Sequence, residues 1–337
     1  MKSIERRAVL GRTALIATAL AAPRVLRAQG GAQGAWRPTQ PVRIVVPAAA
    51  AGTTDIMGRL LAPVLQERWG QPAVVENRSG AGGTLGAAEV ARARADGHTI
   101  LVSNIGPQAI AYSLFRNLPY RPENFAPVSN MISGPNALMV HPSVPARTVP
   151  ELVQYMKQKR GGLNYCTSGP GQSGHLACVW FQQLTGTQAT AAHFRGAGPA
   201  MLALMAGDVE FAVDNLTTAV EQIRAGKVRG LAVTSSARNA QLPDLPAMRE
   251  TMPELANYDV STWFGAFLPG GTPEPAVTAL NTEIKGMLAL PATRQRFAEM
   301  GGEPAYGTPA EFAAFVAAET EKWGRVVRQE GLQMDLG

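Results

Sequence analysis

Cysteine and histidine are scarce in this chain: its 337 residues include two cysteines, Cys166 and Cys178, and four histidines, His98, His141, His175 and His193. None of these has the spacing of a zinc site, and two cysteines cannot build the disulfide framework of a small secreted scaffold. Charge is sparse too, at 17% of residues against 46% hydrophobic. Outside the N-terminus no uncharged apolar run is long enough to cross a bilayer. These shortages argue against a metal enzyme, a disulfide mini-protein and a membrane-spanning body. What remains is a globular chain long enough for two domains.

The formal charge of +6 invites a nucleic-acid reading that its distribution removes. Residues 1–28 hold six basic residues and one acid, with Lys2, Arg6 and Arg7 ahead of an apolar stretch from Ala14 to Ala22. That is the pattern of an export signal, and Arg6-Arg7 before Ala8-Val9-Leu10 resembles a twin-arginine signal, with Sec export the alternative. Cleavage after Ala21 or after Ala28 fits equally. Without the leader 25 basic and 24 acidic residues remain, and no basic stripe with interleaved aromatics survives. An exported chain meets an oxidising compartment, so Cys166 and Cys178 are either bridged or two buried thiols.

After a linker at 29–40, strand-loop-helix units follow one another. Val42 to Val46 feeds a small-residue loop and a helix opening at Thr53 or Thr54, with Asp55 in its first turn. Pro63 should kink that helix or force a late start, and Gly70 ends it. Ala73 to Val75 leads to the loop Gly80-Ala81-Gly82-Gly83 and a helix from Thr84 or Leu85. His98 to Val102 leads to a third loop, Ser103 to Gly106. Val128 to Val140 is read as a crossing strand, after which the same unit recurs: Leu163 to Cys166, Thr190 to His193 and Phe211 to Val213 each feed a loop and a helix, the second of these from Pro199. Thr148-x-x-Glu151 and Thr308-x-x-Glu311 have the form of capping boxes. The chain crosses back near Tyr258 to Phe267 into a helical C-terminal third. This predicts an α/β, two-lobed protein, with 41–133 and 260–337 forming lobe I and 134–259 forming lobe II.

Loops at the carboxyl ends of parallel strands deliver helix N-termini whose free N–H groups favour anions. The loop Gly80 to Gly86 is one glycine short of a dinucleotide fingerprint, because Leu85 takes the last position. Ser173 and His175 stand two apart at a helix start, without the G-x-S-x-G elbow, so they do not form a nucleophile and base. Ser173 is expected as an N-cap, and His175 as a ligand donor or a packing residue. Arg195, leaving a strand into a glycine-rich loop, can offer a planar fork to a carboxylate. Arg78 is a weaker candidate, since anchoring its loop to an acid accounts for it. Asp214 is either a cap or a partner for an amino or hydroxyl group, and Trp263 either a cleft wall or core.

Several blocks carry a family resemblance: Pro47 to Asp55, Gly70-Gln71-Pro72, Glu76 to Gly83 (ENRSGAGG), Leu163 to Leu176, His193 to Leu202, Phe211 to Asn215, and Trp263-Phe264-Gly265 followed by Gly271-Thr272-Pro273. Together they resemble the substrate-binding receptors of tripartite tricarboxylate transporters, the Bug family. Ala48, Ala50 and Ala51 stand where Phe, Pro and Gly are usual, which suggests a roomier cleft and a bulkier ligand; Phe194 stands where a Tyr is usual. The resemblance implies a type II periplasmic binding-protein fold, each lobe a mixed sheet flanked by helices, with no cofactor and a membrane permease of one large and one small subunit as partner. The expected chain is a monomer that closes on a small carboxylate, with a periplasmic sensor or, less readily, a hydrolase as alternatives. The expected first-lobe site is Ala49, Ala50, Gly52, Thr53, Thr54 and Asp55, with Gly82, Gly83, Thr84, Ser103 and Asn104. From the second lobe come Ser168, Gly169, Gln172, Ser173, His175, Arg195, Gly196, Asp214 and Asn215, with Trp263 at the crossover.

Overall fold

A computed structural model describes residues 36–159, 161–329 and 331–336. The expected signal peptide and most of the linker lie outside the described residues. In chain order the elements are β1 (Val42–Val46), α1 (Thr53–Trp69), β2 (Ala73–Asn77), α2 (Thr84–Ala91) and β3 (Thr99–Asn104), followed by a π-helical turn (Gly106–Ile110) that runs into α3 (Ala111–Leu114). The long β4 (Phe125–Val140) comes next, then α4 (Val149–Gln158), β5 (Leu163–Thr167), α5 (Ser173–Thr185), β6 (Ala189–His193), α6 (Ala197–Ala206), β7 (Phe211–Asn215), α7 (Leu216–Arg224) and β8 (Arg229–Val233). The chain ends with β9 (Ser261–Pro269), α8 (Glu274–Ala289), α9 (Pro291–Glu299), β10 (Glu303–Pro304) and α10 (Pro309–Gln329).

The strands follow the order β2-β1-β3-β9-β4-β7-β5-β6, with β8 and β10 also paired to β4. In the first half β1, β2 and β3 are parallel, and β9 enters antiparallel between β3 and β4. In the second half β5 is parallel to β6 and β7, and the far end of β4 runs antiparallel to β7 and β8. The sixteen residues of β4 therefore serve both halves. Its first part pairs with β9 from Phe125 to Pro135, and its second part joins the other half from Asn136 on. This is the mixed α/β architecture the sequence predicts, with two neighbouring strands carrying the chain out and back.

Local signals explain most boundaries. Gly70 adopts φ +71° and stops α1, supplying the left-handed cap that L-residues avoid. The helix passes through Pro63 without a break, so neither a late start nor an interruption occurs there. Thr148 Oγ1 accepts the Glu151 N–H at 3.3 Å, and Glu151 reaches back to the Arg147 N–H at 2.6 Å. At α10 the reciprocal box is complete: Thr308 Oγ1 accepts from the Glu311 N–H, and Glu311 accepts from the Thr308 N–H. α6 begins at Ala197, two residues before the expected Pro199, because Gly196 caps it and a proline in the first turn costs no helical hydrogen bond.

Strand alternation decides the cysteines. Cys166 on β5 packs with Ala212 on one sheet face, whereas Cys178 on α5 packs with Tyr165 and Val213 on the other. Both are buried free thiols, and burial pushes Cys166 up to about 12.

Candidate functional site

Six helix N-termini converge where the two halves meet. α1, α2 and the π-helical turn follow the carboxyl ends of β1, β2 and β3; α5, α6 and α7 follow those of β5, β6 and β7. Their loops line a small cavity of about 20 Å³. The halves are closed on one another. The Ala49 N–H donates to the Arg195 carbonyl at 3.0 Å. Gln172 Nε2 donates to the Gly82 carbonyl at 2.7 Å, and Gln172 Oε1 accepts from Asn104 Nδ2 at 3.0 Å. The hydroxyls of Thr53 and Thr217 also meet across the gap.

The wall is almost entirely small or neutral. Of the expected residues, Gly52, Thr53, Thr54, Gly82, Gly83 and Asn104 line it from the first half, and Ser168, Gln172, Arg195, Gly196 and Asn215 from the second. Arg195 is the only charged residue among them; it is exposed and forms no ion pair among the described residues. No carboxylate lines the space. First-turn N–H groups have no acceptor within their own helix, so with one guanidinium they favour a negative charge. Asn215 Oδ1, buried and without a hydrogen-bond partner among the described groups, stands ready for a donor.

Other expected residues stand behind the wall and support it. Asp55 is 2% exposed. Its carboxylate accepts from Arg59 at 2.9 Å, from Asn77 at 3.0 Å and from the Ala51 N–H at 3.0 Å. Burial works against its charge, but these three donors hold its pKa below the usual value. Asp55 thus shapes the first loop from behind, where Ala51 adopts the left-handed φ of +66°. Ala49 and Ala50 meet the opposite half instead, Ala49 through its N–H and Ala50 through a carbonyl beside Gly198. Thr84 folds back to donate to the Ala81 carbonyl at 2.8 Å. Gly169 packs against Gly82. Arg78 is anchored to Glu76 and Glu89, the bland alternative for that residue.

Strand parity removes Ser103 and Asp214. The sequence ends β3 at Val102 and β7 at Val213, but each strand runs two residues further. Successive side chains then point to opposite faces, and only the second of each pair, Asn104 and Asn215, lines the space. Asp214 is buried; its carboxylate accepts the Asn215 N–H at 2.8 Å, and burial pushes it up to about 6. Ser173 is the first residue of α5 and not its N-cap, a position Gln172 takes, and its Oγ donates to Asn136 Oδ1 at 3.4 Å. His175 is not a wall residue: its Nδ1 accepts the Gly171 N–H at 3.2 Å, and its ring stands edge-on to His193 with centroids 4.8 Å apart. Burial, reinforced by His193, lowers His175 to about 4, so it is neutral at physiological pH. Ser173 and His175 do not touch, which leaves no nucleophile-base pair there. Trp263 is 1% exposed, edge-on to Phe312 and tilted against Phe267, and its Nε1 donates to Glu319 at 3.3 Å; of its two readings, core is the observed one.

Pro47, Ala48, Phe194 and Ala197 also line the space. Ala48 stands out in the sequence as a departure that suggests a roomier cleft, and Phe194 only as a departure from a familiar pattern. Pro47 and Ala197 border the strand end and the helix start, and the misplaced start of α6 hid Ala197.

Residues 57–332 match the family described as the tripartite tricarboxylate transporter family receptor, TctC. The chain is similar to protein BugT of Bordetella pertussis, 35% identical over 300 residues that cover 88% of this chain and 91% of that protein. Among solved structures it is similar to R. palustris Rpa4515 with adipate, at 36% identity and TM-score 0.83 over 87% of this chain and 98% of that one. It is also similar to MatC from Rhodopseudomonas palustris with bound malate, at 35% identity and TM-score 0.82 over 86% and 99%. The two-half α/β architecture, the closed space between facing helix N-termini and these matches agree, and the chain belongs to the tripartite tricarboxylate transporter receptor family.

Proposed function

We propose that this chain is a periplasmic receptor that closes two lobes, 41–133 with 260–337 and 134–259, on a small carboxylate and delivers it to a permease. The observation that carries this reading is the wall itself: six facing helix N-termini and Arg195, with every nearby carboxylate turned away or already paired. One end of the ligand takes the first-turn N–H groups at Thr53 and Thr54 and the turn at Gly82, where the Gly83 N–H is held by the Gly80 carbonyl at 2.9 Å. The other takes Arg195, Ser168 and the helix start at Ala197. The Asn215 amide can accept from a hydroxyl or amino group through Oδ1 or donate to a carboxylate through Nδ2. Similarity to an adipate-bound and a malate-bound receptor supports the carboxylate class. Ligand contact with both lobes stabilises the closed state by differential binding, the signal a permease partner reads.

Thermal denaturation of residues 29–337 with adipate, malate, amino acids, sugars and nucleotides tests this. A ligand at about 100 times its Kd adds about 2.7 kcal/mol of stability. Stabilisation by carboxylates that Arg195→Ala removes, with the ligand-free melting temperature unchanged, is the expected result. Stabilisation by sugars or nucleotides alone would overturn it.

A further inference from the structure

We propose that Gln172 is a latch that holds the lobes closed through protein contacts alone, so that closure precedes ligand in part of the population. This rests on the two-lobed receptor reading, and its first measurement needs no carboxylate. Gln172 comes from the loop between β5 and α5, yet its side-chain amide is engaged by the opposite half. Its Nε2 donates to the Gly82 carbonyl at 2.7 Å, and its Oε1 accepts from Asn104 Nδ2 at 3.0 Å. Asn104 is held for this contact, because its Oδ1 accepts the Gly106 N–H at 3.1 Å. A Cβ on Gly106 would lie 2.7 to 2.9 Å from the Gln172 amide, so the receiving slot is shaped to that side chain. Gln172 is 7% exposed. A ligand contact would keep its amide for the ligand; this one is committed to the other lobe on both atoms.

The latch is a positioning device, and its loss acts equally on every ligand. Two net hydrogen bonds correspond to a closed-to-open ratio changed by about tenfold or more. Spin labels at Leu85→Cys and Leu202→Cys, both exposed positions on helices of opposite halves, report the separation, while the native thiols are buried. The ligand-free protein is expected to show a short-distance population that Gln172→Ala reduces about tenfold relative to the open one. A single open distance in the parent, or the same distribution in the variant, overturns the latch.

Gln172→Glu adds a readout that simple loss of packing does not give. A carboxylate cannot donate to the Gly82 carbonyl, whereas a protonated carboxyl reproduces both bonds of the amide. The closed population of Gln172→Glu should therefore recover as pH falls from 7 to 4, with no recovery in Gln172→Ala. His175 and Asp214 titrate in the same range, but both, like the wall's Arg195, are present in both variants, so the difference isolates residue 172. No recovery in the Glu variant overturns the proposal. Titration with malate and adipate should then show the same fold loss of affinity for both in Gln172→Ala. If neither acid binds any variant, the carboxylate reading fails while the distance data still decide the latch.

Discussion

Asn77 donates one hydrogen bond to Asp55 at 3.0 Å and another to the Ala48 carbonyl at 2.9 Å, tying the loop after β1 to the end of β2. One amide and one carboxylate thereby fix the spacing of two helix N-termini in the site wall. The Glu-Asn-Arg stretch at the end of β2 takes its meaning from this: Glu76 and Arg78 form ion pairs, and Asn77 fastens the neighbouring loop.

Asp55→Ala removes the acceptor of three hydrogen bonds at a site closed to water. It should destabilise the protein by about 3 kcal/mol and weaken any ligand held by the first loop. The lowered carboxylate pKa means that the stabilisation is present above the unfolded-state value and is lost as pH falls through the folded-state one. Chemical denaturation from pH 7 to 3 should show the parent converging on the variant at the acid end. Parallel curves would assign the loss to packing alone.

Ala51 carries a β-carbon into the left-handed region, at φ +66°. Ala51→Gly should relieve about 1 kcal/mol of strain, partly offset by the glycine's freedom in the unfolded chain, for a net gain of about a few tenths of a kcal/mol. The Ala51 N–H still reaches Asp55, so ligand selectivity should not change. A lower melting temperature for the variant contradicts the strain.

Gly82 is constrained twice. Its φ is +64°, and a Cβ there would lie 2.0 Å from the Pro170 carbonyl oxygen of the opposite half. Gly82→Ala should cost about 1 kcal/mol of stability for the backbone alone. Its larger effect is to hold the lobes apart, so ligand should no longer reduce the radius of gyration seen by solution scattering. Compaction equal to the parent's would disprove the contact.

His175 and Asp214 pull stability in opposite directions over one pH window. His175, lowered to about 4, is neutral in the fold, so the unfolded chain binds more protons between about 4 and 6.5 and stability rises with pH there. Asp214, raised to about 6, holds a proton that the unfolded chain has lost, so between about 4 and 6 stability falls as pH rises. The two slopes offset each other in the parent. His175→Gln should expose the falling slope, and Asp214→Asn the rising one with a higher melting temperature at pH 7. Unaltered profiles in both variants would refute the opposed pair.

Much of the fold was legible because its signals are local. Gly70 and the Thr148 and Thr308 boxes mark helix ends by their own chemistry, and an apolar run such as Val42 to Val46 needs no partner to be read as a strand. The crossing strand was legible from its length and apolar content. Site membership was harder, since it depends on which way a side chain turns. Ending β3 and β7 two residues early made Ser103-Asn104 and Asp214-Asn215 look like flexible pairs, whereas a strand admits one of each pair to the site. Asp55 follows the wall residue Thr54 and His175 lies three residues after Gln172, but Asn77 and His193 from neighbouring strands help hold them away from the space, and Trp263 packs among Phe267, Phe312 and Glu319. The contacts with Asn77, His193, Phe312 and Glu319 are long-range, and local sequence does not carry them.

β9 lies between β3 and β4, so the sheet of the first half has a gap at its centre until residues 261–269 have been made. A chain synthesised from its N-terminus completes β5 through β8, together with the β4 segment they need, while the earlier half still lacks its middle strand. The half begun first is therefore finished last. Arrested chains released before residue 261 should protect amides in β5 and β7 from exchange while leaving those of β3 open.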